Sequence, residues 1–196
     1  MDLDHAFVRL DKDLRALGLR WAMVGGLAVS FRTEPRTTRD LDVAIAVSGD
    51  SEAERITLAF RMRGYAPHPD GDVLEQTDTD RLATVRLVAP GSELAAIGVD
   101  LLFASSGIEP EVVAAADLRA VLPGVYAPMA RIGHLLALKV LAGRDKDWMD
   151  ARVLRRFAGA EDLYLARQSL KLIEDRGFHR GKDLLAEYAR LEEPDE

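Results

Sequence analysis

Asp40 and Asp42 stand one residue apart at the head of Asp-Leu-Asp-Val-Ala-Ile-Ala-Val, a stretch that otherwise reads as a buried β-strand. Side chains on a strand alternate between its two faces. Leu41, Val43 and Ile45 therefore belong to one face and both carboxylates to the other, about 6.6 Å apart along the chain. Two carboxylates on one face repel each other unless cations neutralise them. A fold that accepts this segment must bury one side of the strand and open the other. Hard oxygen ligands so arranged suit Mg²⁺, which is often shared with substrate phosphates.

Asp100 fits the same arrangement. It lies in Ile97-Gly98-Val99-Asp100-Leu101-Leu102-Phe103, within an apolar run over 96–103 that reads as a central strand. An Asp buried there without a partner is costly. If this strand neighbours the first, three carboxylates converge into the ligand set of a two-metal phosphoryl-transfer site. Upstream, Gly25-Gly26 ends a short buried strand over 20–25 and opens a helix. Glycine lets the backbone approach a phosphate, and a helix N-terminus offers it free N–H groups. Alone, a Gly-Gly turn is usually only a turn, and Asp-x-Asp is usually a solvated strand edge. The informative feature is their order: strand, Gly-Gly, short helix, loop, Asp-x-Asp strand, later strand Asp.

The remaining pattern supplies a frame. Leu3, Phe7, Leu10, Leu14 and Leu17 recur at helical spacing before Gly18, predicting a first helix over 3–18. A helix is expected to end near Arg63, before Gly64, and a strand over 83–89. The Pro-, Gly- and Asp-rich stretch 66–80 reads as loops with an edge strand, its Asp70, Asp72, Asp78 and Asp80 solvated. From Met129 the pattern turns helical, with helices expected over 129–142, 146–158, 161–176 and 180–192. The fold class is thus α/β (α+β): a sheet domain over 1–127, followed by a helical region over 128–196 packed on it.

Composition narrows the function classes. The 196 residues suit one domain with an appendage, and the 48% hydrophobic fraction suffices for a core. The absence of cysteine excludes a disulfide framework, a thiolate zinc site and a cysteine nucleophile. The acidic start does not resemble a secretory leader, and no apolar run approaches the roughly 18 residues that span a bilayer. A soluble cytoplasmic protein is expected. The formal charge of −7 excludes a uniformly basic coat, yet residues 119–182 carry a net +6 against −8 for residues 1–118. The bland account of that basic segment is a set of solvated helix faces. The sharper one is local attraction for a polyanion.

The joint motif resembles the nucleotidyltransferase superfamily with the polymerase-β-like fold, which carries a mixed sheet with flanking helices. Val24-Gly25-Gly26 followed by Asp40 and Asp42 matches its signature. Arg36-Thr37-Thr38-Arg39-Asp40-Leu41-Asp42 is similar to the Arg-x-Thr-x-Asp-hydrophobic-Asp segment of minimal bacterial members. The run from Leu136 through Lys139 and Gly143-Arg144-Asp145-Lys146-Asp147 to Asp150 resembles that of AbiEii-like and MenT-like toxins of type IV toxin–antitoxin systems. The resemblance covers roughly residues 20–155; Gly26 stands where many members have Ser.

The resemblance implies transfer of a nucleoside monophosphate from an NTP such as ATP to an acceptor, with release of pyrophosphate. Asp40 and Asp42 would hold two Mg²⁺ ions, and Asp100 would bind the catalytic one and accept the acceptor's proton. Gly25, Gly26 and Ser30 would cradle phosphates. Lys139 would reach the triphosphate; on so apolar a helix, its bland alternative is to snorkel to solvent. Asp147, on the nucleotide side, and Asp150 share a helix face and could anchor Lys139 or Arg144. Arg36 and Arg39 could touch phosphate or pair with Asp40 and Asp42. The four histidines lack metal-ligand spacing.

Three functions remain open: a toxin modifying tRNA and held by a cognate antitoxin; a small-molecule nucleotidyltransferase of the aminoglycoside-resistance kind; and a non-catalytic nucleotide- or partner-binding module. A basic face beside the cleft would favour RNA, and an acidic pocket a cationic small molecule.

Overall fold

In the computed structural model, β2 (Asp40–Ile45) is built as its alternation requires. Leu41, Val43 and Ile45 are buried, Asp40 is exposed and Asp42 is half-buried. The structure describes residues 2–35, 37–69, 75–76, 81–91 and 97–191. Arg36 and the acidic positions 70, 72, 78 and 80 lie outside them.

The chain begins with α1 (Leu3–Ala16), capped by Asp2, which accepts from the His5 amide at 3.0 Å. Its apolar stripe is buried, and Gly18 leaves the helix with φ +64°. β1 (Trp21–Met23) and α2 (Gly25–Arg32) lead to β2, and α3 (Asp50–Met62) follows. Then come β3 (Ala66–Pro67), β4 (Glu75–Gln76), β5 (Leu82–Val88) and β6 (Gly98–Leu102). The sheet is completed by α4 (Glu109–Ala114) and the hairpin β7 (Asp117–Leu122)–β8 (Val125–Met129). Four helices close the chain: α5 (Ile132–Ala142), α6 (Asp145–Phe157), α7 (Ala160–Asp175) and α8 (Leu184–Ala189).

The strand order is β3-β5-β6-β2-β1-β8-β7, with β4 beside β5. β2 pairs with β6 in parallel and with β1 antiparallel, so the sheet is mixed. The apolar β6 is central, between β5 and β2.

α5 is apolar all round, as befits a helix enclosed on every side. It packs against α2, α6, α7 and α8. Gly133 allows the close approach of α7: a Cβ there would lie 2.5 Å from the Asp162 carbonyl oxygen. One hydrophobic cluster runs from Ala6 through the sheet strands to Leu191, so the helices share their core with the sheet.

Beyond β6 the structure differs from the sequence expectation, beginning with α4, which was not foreseen. The β7–β8 hairpin was not foreseen; most of β7 is exposed, which erases the alternation that marks a half-buried strand. Because β8 runs to Met129, Pro128 lies inside a strand and α5 starts only at Ile132. α8 is shorter than expected because positive φ at Arg180 and Gly181 interrupts the chain before Asp183 caps it, accepting from the Ala186 amide.

His134 on α5 is 2% exposed, and its Nδ1 has no partner among the described residues. Burial, helped by Arg131 and opposed by Glu111, lowers its pKa to about 4. The unfolded chain protonates this group near 6.5, so folding loses stability as pH falls from about 6.5 towards 4. The expected contribution is about 2 kcal/mol between pH 7.5 and pH 5. Urea denaturation at both pH values should show this loss in the wild type, and His134→Leu should lack that share of it.

Candidate active site

The parallel pairing of β2 with β6 sets Asp42 beside Asp100 and Asp40 beside Gly98. All three carboxylates therefore occupy one face of adjacent strands, as the alternation predicts. Glycines clear the space around them. Gly25 opens α2 with φ +63°, and a Cβ there would lie 2.0 Å from Asp42 Oδ2. A Cβ on Gly98 would lie 2.5 Å from Asp40 Oδ1. At Gly25 both the backbone and the clash demand glycine.

Asp42 carries the strain of this crowding. Burial, then the neighbouring Asp100 and Asp40, push its carboxyl up to about 6. Lys139 and the Gly26 amide act in the opposite sense. Asp100 is 8% exposed and is met across the strands by Arg86, its register partner on β5. Arg86 donates from Nε to Oδ1 and from Nη2 to Oδ2, each at 2.9 Å, a bidentate fork.

Lys139 faces this centre from α5 and does not snorkel: it is 8% exposed. Its Nζ lies 2.8 Å from Asp147 Oδ1 and 2.8 Å from Asp150 Oδ2. Asp147 is fully buried and also accepts from Arg144. Burial alone would raise its carboxyl, but the hydrogen bonds from Arg144 and Lys139 prevail and hold it below the ordinary value. Asp147 and Asp150 thus anchor the cation.

A cavity of about 430 Å³ joins these groups, bounded by Gly25, Gly26, Arg39, Asp40, Lys139 and Lys146, among others. Ser30, expected at the phosphates, is not among its described lining residues; its hydroxyl donates to the Gly26 carbonyl at 3.1 Å, one turn back along α2.

Do these residues suit Mg²⁺? The donor set is chemically right, three carboxylates with hard oxygens, and glycines keep the space before two of them open. Among the described residues, however, no three His, Cys, Asp or Glu side chains are gathered closely enough to enclose a metal ion. Asp100 is committed to Arg86 and must leave it to complete such a set.

The sequence family agrees with this geometry. The family model described as nucleotidyl transferase AbiEii toxin, type IV TA system, matches residues 10–196. The chain belongs to the AbiEii family of nucleotidyltransferase toxins. It is therefore a nucleotidyltransferase of a type IV toxin–antitoxin family. No curated protein sequence matches it.

Solved structures show the same fold for this AbiEii member. The antibiotic-resistance factor ANT(2″)-Ia aligns with TM-score 0.54 at 15% identity, over 91% of this chain and 100% of its own. The lincosamide antibiotic adenylyltransferase LnuA, lincomycin-bound, aligns with TM-score 0.50 at 10% identity, over 80% of this chain and 99% of its own. An antigenic nucleotidyltransferase-like protein from Paracoccidioides brasiliensis gives TM-score 0.54 at 16% identity, over 96% of this chain and 94% of its own.

Three residues of the site escaped the sequence reading: Arg86, Gly98 and Lys146. Arg86 had a visible signal, since Thr84 and Arg86 are the polar positions of an alternating strand. Gly98 breaks an apolar run, which often marks a close backbone or ligand approach.

Gly98→Ala should push the Asp40 carboxylate aside. Asp40 is exposed and can move, so stability should drop by less than about 1 kcal/mol. Displacement of a reacting group by about 1 Å can cost roughly 100-fold in rate, and transfer should fall on that scale. Denaturation and turnover measured on one preparation check both parts.

Proposed function

We propose that this protein transfers a nucleoside monophosphate from an NTP to an acceptor hydroxyl in a Mg²⁺-dependent reaction, with the 3′ end of tRNA as acceptor. The observation that carries the reading is the common face of Asp40, Asp42 and Asp100 beside the Gly25-Gly26 opening of α2, with Lys139 opposite. Asp40, Asp42 and Asp100 would hold two Mg²⁺ ions, which supply neutralisation of phosphate charge.

The chain's own groups do the rest. Lys139 has three N–H donors and spends two on Asp147 and Asp150, leaving one for a phosphate oxygen. Arg39 and Lys146 add positive charge to the nucleotide side. Asp100, released from Arg86, accepts the acceptor hydroxyl's proton as its oxygen bonds to the α-phosphorus. The bond from that phosphorus to the bridging oxygen breaks, and pyrophosphate leaves. The cytoplasm, which supplies both NTPs and tRNA, is the proposed site of action. A cognate antitoxin is the proposed protein partner. Among the described residues no helix is long and apolar enough to cross a membrane. The portion through β8, with Asp40, Asp42 and Asp100, and the helical portion from α5 onward, with Lys139 and Lys146, are proposed to form one site together.

The test is incubation with Mg²⁺, total tRNA and each α-³²P-labelled NTP in turn, with and without EDTA. Label on tRNA, lost with EDTA, is expected. Label only on a small cationic molecule would overturn the tRNA acceptor. No transfer to any acceptor would overturn the reading.

A further inference from the structure

A second cavity, of about 310 Å³, opens beside the first at the same centre. Asp42, Asp100 and Arg86 border both cavities. Gly25, Gly26 and Lys139 border only the first; Thr84, Ser105, Ser106 and Arg180 border only the second. A displacement at phosphorus brings donor and acceptor to the reacting centre from opposite sides. Two cavities meeting at shared carboxylates give donor and acceptor separate approaches to them.

Arg180 comes from the turn between α7 and α8, the part of the chain with no role legible in its sequence. Its φ of +55° is the only positive value of a non-glycine among the described residues. Backbone strain of this kind persists where surrounding contacts impose it, and it concentrates at functional sites. The contacts are present. Arg176, before the turn, donates to the Gly107 carbonyl and pairs with Glu111 at 2.7 Å. The Phe178 ring covers Gly107, where a Cβ would lie 2.4 Å from it. Lys182 donates to the Leu141 and Ala142 carbonyls at the end of α5.

Three guanidinium groups line this second cavity. Arg86 is neutralised by Asp100 and Arg144 by Asp147. Arg180 donates only to the Ser105 carbonyl, at 3.0 Å, and has no carboxylate partner among the described residues. The turn thus presents a fixed positive charge to a polar cavity. The volume, at the small end of ligand pockets, suits one terminal residue of a longer acceptor.

We propose that the Arg180 turn is the acceptor wall of the cleft, its guanidinium taking a backbone phosphate at a single-stranded RNA end. The proposal rests on the nucleotidyl-transfer reading above but is tested without catalysis. Binding of a short fluorescent single-stranded oligoribonucleotide is followed by anisotropy in EDTA without NTP, over a series of salt concentrations. Arg180→Ala should weaken binding roughly tenfold, the scale of one charge-assisted contact. The slope of log affinity against log salt should shrink by about 0.7, the value for one phosphate on a single strand. Arg180→Lys should recover part of the affinity. Arg180→Gly relieves the backbone and is the variant to use if Arg180→Ala does not fold. Binding of a fluorescent ATP analogue should be unchanged in all of them.

Equal affinity and equal salt slope in wild type and Arg180→Ala would overturn the proposal. So would a polycationic aminoglycoside that binds more tightly to Arg180→Ala than to wild type. Arg180-dependent RNA binding without any transfer of label would uphold the RNA site and overturn the transfer reading instead.

Discussion

Asp42→Asn is expected to abolish nucleotidyl transfer while making the protein more stable at pH 7. The two effects have one cause. In the native chain Asp42 is crowded by burial, by Asp100 and by Asp40, and its pKa stands at about 6 against 3.8 for the free side chain. The folded state therefore holds this proton more tightly than the unfolded state does. Ionisation at Asp42 thus costs folding energy in full above about pH 6, and the cost vanishes as pH falls below about 4. A shift of this size corresponds to about 3 kcal/mol, and Asn should recover much of it at pH 7. Transfer should fall by at least about 10³-fold, because charge neutralisation supplies most of the catalysis in phosphoryl transfer. Mg²⁺ should raise the melting temperature of the wild type and leave that of Asp42→Asn nearly unchanged. Undiminished transfer in the variant, or the same Mg²⁺ response in both proteins, would remove Asp42 from the proposed metal ligands.

Lys139→Met should have the opposite effect on stability. It leaves two buried carboxylates, Asp147 and Asp150, without their shared cation. Removing one partner from a buried ion pair costs about 3–5 kcal/mol. Arg144 still covers Asp147, so the lower end of that range applies. Loss of activity alone in this variant would not separate chemistry from folding. Lys139→Met with Asp150→Asn does so: it should regain most of the stability and none of the transfer. A double variant that turns over like wild type would make Lys139 purely structural. Guanidinium denaturation and single-turnover kinetics read the two quantities independently.

The carboxylate face was legible in the sequence because strand alternation is a rigid rule. Asp40 and Asp42 had to share a side, and the apolar run around Asp100 marked a central strand. Gly25 was legible for a related reason, since a glycine between strand and helix is rarely there for its side chain. The partner of Asp100 was not legible. Arg86 reaches it through the antiparallel register of β5 on β6, and register depends on which strands meet. Asp147 and Asp150 could be placed on one helix face from their spacing alone. Anchoring of Lys139 or Arg144 was expected from that face; the packing of α6 on α5 brings both aspartates to Lys139 and Arg144 to Asp147. Ser30, expected at the phosphates, donates its hydroxyl proton to the Gly26 carbonyl one turn back along its own helix. The Arg180 turn was illegible because its placement depends on contacts with residues about 70 positions earlier in the chain.

Lys139 sits on the helix at the heart of the helical layer, enclosed by α2, α6, α7 and α8. The carboxylates of β2 and β6 come earlier in the chain than α5 and its neighbours. A polypeptide still emerging from the ribosome therefore carries its acidic face well before anything can hold the lysine against it. The anchoring aspartates on α6 must follow, and then α7 and α8 must close over the helix. The order of the chain thus delays union of the lysine with the acidic face until α5 and α6 have both been made.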